Sequence, residues 1–465
     1  MITAIRRHAR LLALAVIALA IGLAVWGTPA LAQTTGWSTP QLIFEGRGVI
    51  YSPALVADRF GQVHGFWIFQ PDQTESDNQT ELIYYTRLDQ PTWPVNDIFA
   101  VPKSTGSLQA IMSADGLNLL WAGRFFAWTG PSPHATATDW SGPLDVLAGY
   151  AEAGLAVAPD GALWMGYGAS TNVIYVQRLN PDTRAWEAPL LVGDPTNPNT
   201  APDGIRVAIA ADGRMHIVWA EYQLPNGWPP VGLYYAQSSD GGQTWTGRRR
   251  LVGPLFNQPN VVVGPDQAVY VTWTGTAGTG QKYFQESTDG GQNWESPVKV
   301  IDQPGGGSEG PPNVAVDSAG NPHMVFSHDG CVWHTGRENN IWSDPECISL
   351  GAAPNAMIEQ PAMALGLGNQ LHVFFWTDRR QLWYTSLTLP VAGQAPQPTF
   401  TPTVPTPTSV VPTATLTPTP TPLPDYGPTV KPGQATQPGV WALVAGVVPV
   451  IVLFIAVVVA RRPRR

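Results

Sequence analysis

Residues 238–245 read SSDGGQTW and residues 287–294 read STDGGQNW, so one pattern of Ser, Asp, Gly and Trp occurs twice. The first copy follows the apolar strand pattern LYYAQ (233–237) and precedes a segment that begins with Trp. Gly permits the positive φ of a tight turn, and Asp and Ser can hydrogen-bond to turn backbone. The pattern predicts a hairpin turn between two strands, with Trp filling the gap between neighbouring sheets.

Two longer elements recur seven times each. One is an apolar strand, an Asp-Gly-like turn and a second apolar strand, at 54–67, 111–121, 155–167, 207–219, 261–273, 314–326 and 363–375. The other is a Trp followed by a proline or an apolar strand, at Trp37, Trp93, Trp140, Trp186, Trp245, Trp294 and Trp342. A period of about 50 residues, with room for four short strands, is typical of a propeller blade. The sequence predicts an all-β, seven-bladed β-propeller, with six blades as the alternative.

The order of these elements predicts how the ring closes. The Trp37 element has no inner strands before it, and the inner strands at 363–387 have no Trp element after them. We therefore expect the N-terminal segment to complete the last blade, which removes two free sheet edges.

On these motifs, the segment 37–387 resembles the BNR/Asp-box repeat, sialidase-like β-propellers. Two Asp-boxes are complete, formed by Ser238, Asp240, Gly242 and Trp245 and by Ser287, Asp289, Gly291 and Trp294. The resemblance implies that both boxes are structural and that a functional site lies on the opposite face of the ring. It also implies three arginines that bind a substrate carboxylate, a Tyr–Glu pair and an Asp acid/base. The family's first arginine precedes the first inner strand in an Arg-Ile-Pro phrase, and here Tyr51 stands at that place, before Ser52 and Pro53.

The loops of that opposite face contain candidate site residues. A hydrolase could use Arg47, Arg206, Arg379, Glu221, Tyr222, Glu309 and Asp378, and Glu359 is a further carboxylate. Aromatic candidates for ligand binding are Tyr51, Phe125, Trp128 and Trp228. The stretch FFAWTGPSP (125–133) is expected to lie outside regular strands, and packing of its rings between blades is the alternative.

Four histidines recur at about the same place in the second strand of their repeats, namely His64, His216, His323 and His372. Equivalent positions on different blades lie far apart around a ring. We therefore predict structural roles for them, with no metal and no cofactor. The run of arginines 248–250 is expected to lie on a solvated outer strand.

Both chain ends carry membrane signals. Residues 1–32 have arginines, an apolar run and small residues before Ala32, which predicts a cleaved signal peptide, with an uncleaved anchor as the alternative. Residues 33–389 form the propeller, and 390–439 are a Pro/Thr-rich linker expected to be a disordered, extended stalk. Residues 440–460 lack charges and predict one transmembrane helix, followed by a cytoplasmic tail at 461–465. We expect a single-pass protein of the cell membrane with an exported, extracellular or periplasmic head.

Charge and cysteine content restrict the partners. The net charge is −9 and only 13% of residues are charged, which argues against a nucleic-acid partner. The two cysteines, Cys331 and Cys347, lie in the exported head and can form a disulfide, with two free thiols as the alternative.

Taken together, the sequence predicts a surface-anchored, non-catalytic sialidase-like propeller that binds glycans or another extracellular partner. The replacement of the family's arginine by Tyr51 favours this interpretation. Two alternatives stay open, a membrane-tethered exo-glycosidase of sialidase-like type and an envelope protein-assembly scaffold. The oligomeric state is also left open.

Overall fold

A computed structural model describes residues 36–390 except 59, 73–79, 89–94, 103–106, 131–138, 147–152, 170–172, 194–198, 226, 228, 276–279, 302–309 and 353–356. These residues belong to one compact unit. Within the described part of the chain, no helix is long and apolar enough to span a bilayer. The predicted signal peptide, membrane helix and tail lie outside the described residues, as does the linker after residue 390.

The described residues form seven antiparallel sheets, named blades 1 to 7 in chain order. Blade 1 contains β2 (Gly48–Ala57), β3 (Val63–Pro71), β4 (Thr80–Arg87) and β5 (Asn96–Pro102). Blade 2 contains β6 (Leu108–Ser113), β7 (Gly116–Trp121), β8 (Phe125–Trp128) and β9 (Leu144–Asp145). Blade 3 contains β10 (Ala153–Val157), β11 (Leu163–Ala169), β12 (Val173–Arg178) and β13 (Leu190–Leu191). Blade 4 contains β14 (Thr200–Ile209), β15 (Met215–Gln223), β16 (Pro230–Ser238) and β17 (Arg249–Val252). Blade 5 contains β18 (Phe256–Val263), β19 (Val269–Gly275), β20 (Lys282–Ser287) and β21 (Val298–Lys299). Blade 6 contains β22 (Asn313–Val316), β23 (Pro322–His328), β24 (Cys331–Glu338), β25 (Ile341–Trp342) and β26 (Glu346–Cys347). Blade 7 contains β27 (Ile358–Gly366), β28 (Gln370–Thr377), β29 (Gln381–Thr388) and the first strand of the chain, β1 (Gln41–Glu45).

The ring closes through the N-terminal strand. β1 pairs antiparallel with β29, with Gln41 opposite Tyr384 and Glu45 opposite Gln381. The Thr385 hydroxyl also donates a 2.7 Å hydrogen bond to the Ser38 carbonyl. The predictions of seven blades and of closure by the N-terminal segment are therefore confirmed.

The core lies between neighbouring blades. In β3, Phe66 and Ile68 pack in the cluster shared with blade 2, whereas Trp67 and Phe69 pack in the cluster shared with blade 7. Successive side chains of a strand point to opposite faces, so a strand covered on both faces must be apolar at every position. This requirement explains the continuous apolar runs of the second strands.

Blade 6 differs from the others in its outer strand, which is split. Both β25 and β26 pair with β24, at different points along it. A disulfide joins Cys331 to Cys347, with a Cα–Cα distance of 5.9 Å. It links the third strand of the blade covalently to the second half of the split outer strand.

Each complete Asp-box forms a turn between the third and fourth strands of its blade. In blade 4, the Ser238 hydroxyl accepts a 2.9 Å hydrogen bond from the Gly242 N–H. Asp240 Oδ1 accepts one of 2.9 Å from the Thr244 N–H, and the Trp245 indole donates to the Gly242 carbonyl at 3.0 Å. The hydrogen bonds from the Thr244 hydroxyl and N–H hold the pKa of Asp240 down, at about 2. The box therefore uses its polar groups on its own turn.

The second box, in blade 5, repeats this geometry. Ser287 accepts from the Gly291 N–H at 2.8 Å, and Asp289 accepts from the Asn293 N–H at 2.8 Å. Trp294 packs edge-on against Tyr235 of blade 4, with 4.9 Å between ring centroids. The Trp side chain thus fills a gap between two neighbouring blades.

Candidate functional site

The chain turns sharply at the same place in five blades, within the innermost strand or just before it, on the face opposite the Asp-boxes. The residues at these turns have φ between 42° and 92°, and they are Ser52, Gly204, Gln258, Gly310 and Gln360. In four of the five, the strand pairing also shifts by one residue there, which is a β-bulge. Positive φ costs a residue other than Gly about 1–2 kcal/mol, and such strain and bulges concentrate near functional sites.

These turns surround a central cavity of about 330 Å³. Every blade contributes its innermost strand, or the residues that lead into it, to the wall. The polar groups of the wall are hydroxyls, amides and one guanidinium, from Ser52, Ser107, Gln109, Arg206, Asn260, Asn313 and Gln360. Prolines 53, 311 and 361 and aliphatic side chains supply the apolar part of the wall. Among the described residues that line the cavity, none has a carboxylate.

The amides of the wall also tie adjacent blades together. The Gln109 amide donates to the Ala153 carbonyl at 2.6 Å and accepts from the Leu155 N–H at 3.0 Å. The Asn313 amide donates to the Pro361 carbonyl. The wall is thus held in place by contacts between blades 2 and 3 and between blades 6 and 7.

Arg206 supplies the positive charge of the cavity wall. It follows the bulge of β14, and its Nη1 donates to the Ile205 carbonyl at 2.9 Å. Asp203 stands on the other side of this bulge. Burial raises the pKa of the Asp203 carboxyl, while the Gly204 N–H and Arg206 act in the opposite direction. Of the sequence candidates that the structure describes, Arg206 is the one that lines the cavity.

Glu221 and Tyr222 do not face a common space. They are adjacent on β15 and therefore point to opposite faces of the sheet. Glu221 is 1% exposed and accepts hydrogen bonds from the Trp219 indole at 3.0 Å and the Thr200 hydroxyl at 3.2 Å. Its other strong contact is an ion pair with Arg248. Tyr222 packs on the blade 5 side, so the two side chains are not brought together as a nucleophile pair.

The position of Arg248 differs from the solvated outer strand expected for arginines 248–250. Its guanidinium lies 4.2 Å from the centroid of the Tyr234 ring and contacts Glu221, and its side chain is 23% exposed. The outer strand β17 begins one residue later, and Arg249 and Arg250 are exposed on it. Arg248 is therefore part of the packing between blades 3 and 4.

Asp378 and Arg379 form the turn between β28 and β29. Both have positive φ, at 50° and 55°. Asp378 accepts a 2.9 Å hydrogen bond from the Met357 N–H, which fixes the turn to the segment leading into β27. The Arg379 guanidinium lies over the Trp376 ring at 5.5 Å. These contacts place both residues beside blade 7 and outside the lining of the cavity.

Tyr51 and Arg47 lie on the same face near blades 7 and 1. The Tyr51 hydroxyl donates to Gln70 Oε1 at 3.2 Å. Burial raises the pKa of Tyr51, while the Arg379 charge lowers it and the Glu81 charge raises it. Arg47 is exposed, and its carbonyl accepts from the Asp72 N–H at 2.9 Å. The structure brings Tyr51 within electrostatic range of Arg379, but both lie outside the lining of the cavity.

Phe125 and Trp128 belong to β8, so the expectation that this stretch lies outside regular strands is corrected. Phe125 stacks on Trp121 at 5.7 Å between ring centroids, and Trp128 stacks on Phe126 at 5.7 Å. Phe126 is 1% exposed and contacts Trp186 edge-on. The rings form packing within and between blades, because β8 pairs with β7 and alternates its side chains.

The remaining candidates divide into two groups. Glu309 and Trp228 lie outside the described residues, and for Glu359 only the backbone position in β27 is described. The four histidines lie in four blades and bond within their own blade. The pairs are His64 with Tyr85, His216 with Tyr235, His323 with His334 and His372 with Tyr384. Among the described residues, no group of three or more His, Cys, Asp or Glu could hold a metal.

Sequence reasoning missed the amide side chains of the cavity wall. The sequence signal for this part of the wall is a proline that directly follows the positive-φ residue of the inner segment. Pro53 has counterparts in Pro259, Pro311 and Pro361. In blades 1, 5 and 7 this proline lies within the β-bulge of the inner strand.

Comparison with known proteins bears on the fold. No protein-family model matches the chain, and no curated protein matches it. Among solved structures, a polysaccharide lyase, Uly1, is similar with a TM-score of 0.50 at 10% identity, over 78% of this chain and 94% of that one. The Hadza microbial sialidase Hz136 has a TM-score of 0.42 at 13% identity, and the alignment covers 75% of this chain and 68% of that one. The NanB sialidase from Streptococcus pneumoniae has a TM-score of 0.41 at 14% identity, and the alignment covers 76% of this chain and 71% of that one. At these identities, the likeness concerns the fold alone.

Proposed function

We propose that the head is a non-catalytic, sialidase-like propeller whose central cavity binds an acidic sugar of an extracellular glycan. The observation that carries this proposal is the composition of the cavity wall, with one guanidinium, several amides and no carboxylate among the described lining residues. The membrane helix and stalk predicted from the sequence would hold the head at the cell surface.

The wall supports an acidic sugar because of the donors that it offers. A guanidinium binds a carboxylate through two parallel hydrogen bonds, and Arg206 is placed on the wall by the bulge of β14. The amides of Asn260 and Gln360 can both donate to and accept from sugar hydroxyls. A cavity of about 330 Å³ is of the size that small ligands occupy.

The same wall favours binding over hydrolysis. Glycoside hydrolysis in most families requires two carboxyl groups on either side of the scissile bond, about 5–9.5 Å apart. The described lining residues supply none. The family's nucleophile also requires a Tyr beside a Glu, and Glu221 and Tyr222 point away from each other.

The experiment compares binding and turnover in the purified protein. We expect retention of sialylated or uronic acid-containing glycans on an array, and no release of fluorophore from sialosides or uronides. Arg206→Ala is expected to abolish retention, and Arg206→Lys to weaken it, because an ammonium is a point charge without the planar fork. Arg47→Ala is the matched control, since it removes the same charge from the same face outside the cavity.

Each outcome distinguishes the three functions. Turnover that depends on Arg206 would establish the exo-glycosidase alternative. Neither retention nor turnover would favour the protein-assembly scaffold. Equal losses with Arg206→Ala and Arg47→Ala would show a non-specific charge effect and contradict a specific site in the cavity.

A further inference from the structure

A second concave site lies between blades 3 and 4, on the face of the Asp-box turns. It is a groove of about 350 Å³. Its walls are the turn between β10 and β11, the turn between β14 and β15, and Gly241 of the first Asp-box. Ile209 and Met215 contribute apolar surface, and Trp164 contributes an aromatic ring.

Trp164 is an exception among the seven blades. It is the second residue of its blade's second strand, opposite Arg178 of β12. The corresponding positions of the other blades hold polar or hydrogen-bonding residues that are at most 6% exposed, namely His64, Asn118, His216, Tyr270, His323 and His372. Trp164 is only partly buried and lines the groove. At this position blade 3 has an indole that packs partly against the core and is partly exposed in the groove, whereas the other blades bury a smaller, polar ring or amide.

The charged groups around the indole are paired with one another, three carboxylates with two guanidiniums. Arg178 pairs with Asp160 at 3.6 Å and with Glu187 at 3.3 Å, and Asp212 pairs with Arg214 at 3.3 Å. The carboxylates remain largely accessible, with the Asp160 side chain 64% and the Asp212 side chain 43% exposed. A strongly charged ligand would have to break one of these pairs. The groove therefore offers part of an aromatic ring, accessible acceptors and donors, and a net charge of only −1 from these five groups.

We propose that this groove binds a neutral sugar unit of a glycan, independently of the central cavity. The apolar face of a pyranose ring would stack on Trp164. Its hydroxyls would donate to Asp160 and Asp212 and accept from Arg178, and a neutral polyhydroxylated ring can do both without disturbing the ion pairs. The volume of the groove is within the range of small-ligand sites.

The test uses the full-length protein in detergent and an array of immobilised neutral hexaoses of glucose, mannose, galactose and xylose. Trp164→His installs the residue that four other blades carry at this position. We expect it to leave the thermal unfolding midpoint near that of the wild type. It should lower the affinity for the retained hexaose by at least about tenfold, the effect of removing a central aromatic contact. Trp164→Phe, which keeps an aromatic face, is expected to retain part of the affinity.

Arg206→Ala separates this site from the proposed central site. It should leave hexaose retention unchanged while it abolishes retention of acidic glycans. Retention of no neutral hexaose by the wild type would overturn the proposal, and so would a loss caused by Arg206→Ala but not by Trp164→His. If Trp164→His does not fold, Asp160→Asn keeps the acceptor for the Ala162 N–H and gives a second test. Unchanged retention with both Asp160→Asn and Trp164→Phe would then contradict a sugar in the groove.

Discussion

The buried carboxylate of Glu221 should matter for stability and not for ligand binding. It accepts from Trp219 and Thr200 and pairs with Arg248, whose side chain is 23% exposed. Glu221→Gln keeps the shape, and its amide can still bond to all three partners, with Oε1 accepting from Trp219 and Arg248 and Nε2 donating to the Thr200 hydroxyl. The substitution removes the negative charge that these three contacts share.

The expected loss can be worked from these contacts. A hydrogen bond to a charged group contributes about 1.5–3 kcal/mol, against about 1 kcal/mol for a neutral one. The difference is about 0.5–2 kcal/mol for each of the three contacts. Because Arg248 is partly hydrated, we take about 2 kcal/mol, near the lower end of their sum, as the loss in free energy of unfolding. For a head of roughly 350 residues the unfolding entropy is about 0.7 kcal/mol/K, so the midpoint should fall by about 3 °C.

Differential scanning calorimetry of the purified protein measures this shift, and the glycan array measures binding. Glu187→Gln is the matched control, because Glu187 pairs with Arg178 at 3.3 Å on the surface, and its loss should change stability by less than about 1 kcal/mol. Arg248→Met in the Glu221→Gln background should cost less than in the wild type, since the two residues share one interaction. An unchanged thermal unfolding midpoint together with lost glycan retention would refute this reasoning. That result would indicate that Glu221 belongs to the functional site.

Three further results are expected. Cys331→Ser removes a disulfide that closes a loop of 16 residues and should lower the free energy of unfolding by about 3 kcal/mol in urea titrations; unchanged stability would mean that the bond adds nothing. Ser238→Ala leaves the buried Gly242 N–H without its acceptor and should cost about 1–3 kcal/mol, whereas Thr183→Ala, in an exposed turn, should cost less than about 1 kcal/mol. Burial lowers the pKa of three histidines to about 4, and they are His216, His323 and His372. The unfolded chain binds their protons from pH 6.5 downward, so stability should be full above pH 6.5 and fall as the pH drops to 4; a midpoint that is constant over this range would contradict their burial as neutral rings.

The ring could be predicted from the sequence because its determinants are local and repeated. Each blade needs an apolar inner hairpin, and these elements can be counted along the chain. Closure of the ring could be predicted in the same way, since the Trp37 element lacks inner strands and the strands at 363–387 lack an outer partner. The pairing of β1 with β29 satisfies both.

The candidate site was harder to predict from the sequence, because it depends on the direction in which each side chain points. Glu221 and Tyr222 are adjacent in sequence, but the period of two in a strand separates them. The sequence predicts that Phe125 and Trp128 lie in a loop outside regular strands. Pairing of β8 with β7 instead places them in the packing of the blades.

The number of blades, the closing strand and the turn-forming role of SSDGGQTW and STDGGQNW follow from the amino-acid sequence alone. Those features depend on residue types at fixed spacing within one repeat. The folded structure was needed to show that Arg206 lines the central cavity and that the partly buried Trp164 lines the groove between blades 3 and 4. Both depend on how bulged inner strands and neighbouring blades meet around the ring, and that meeting joins residues from different repeats.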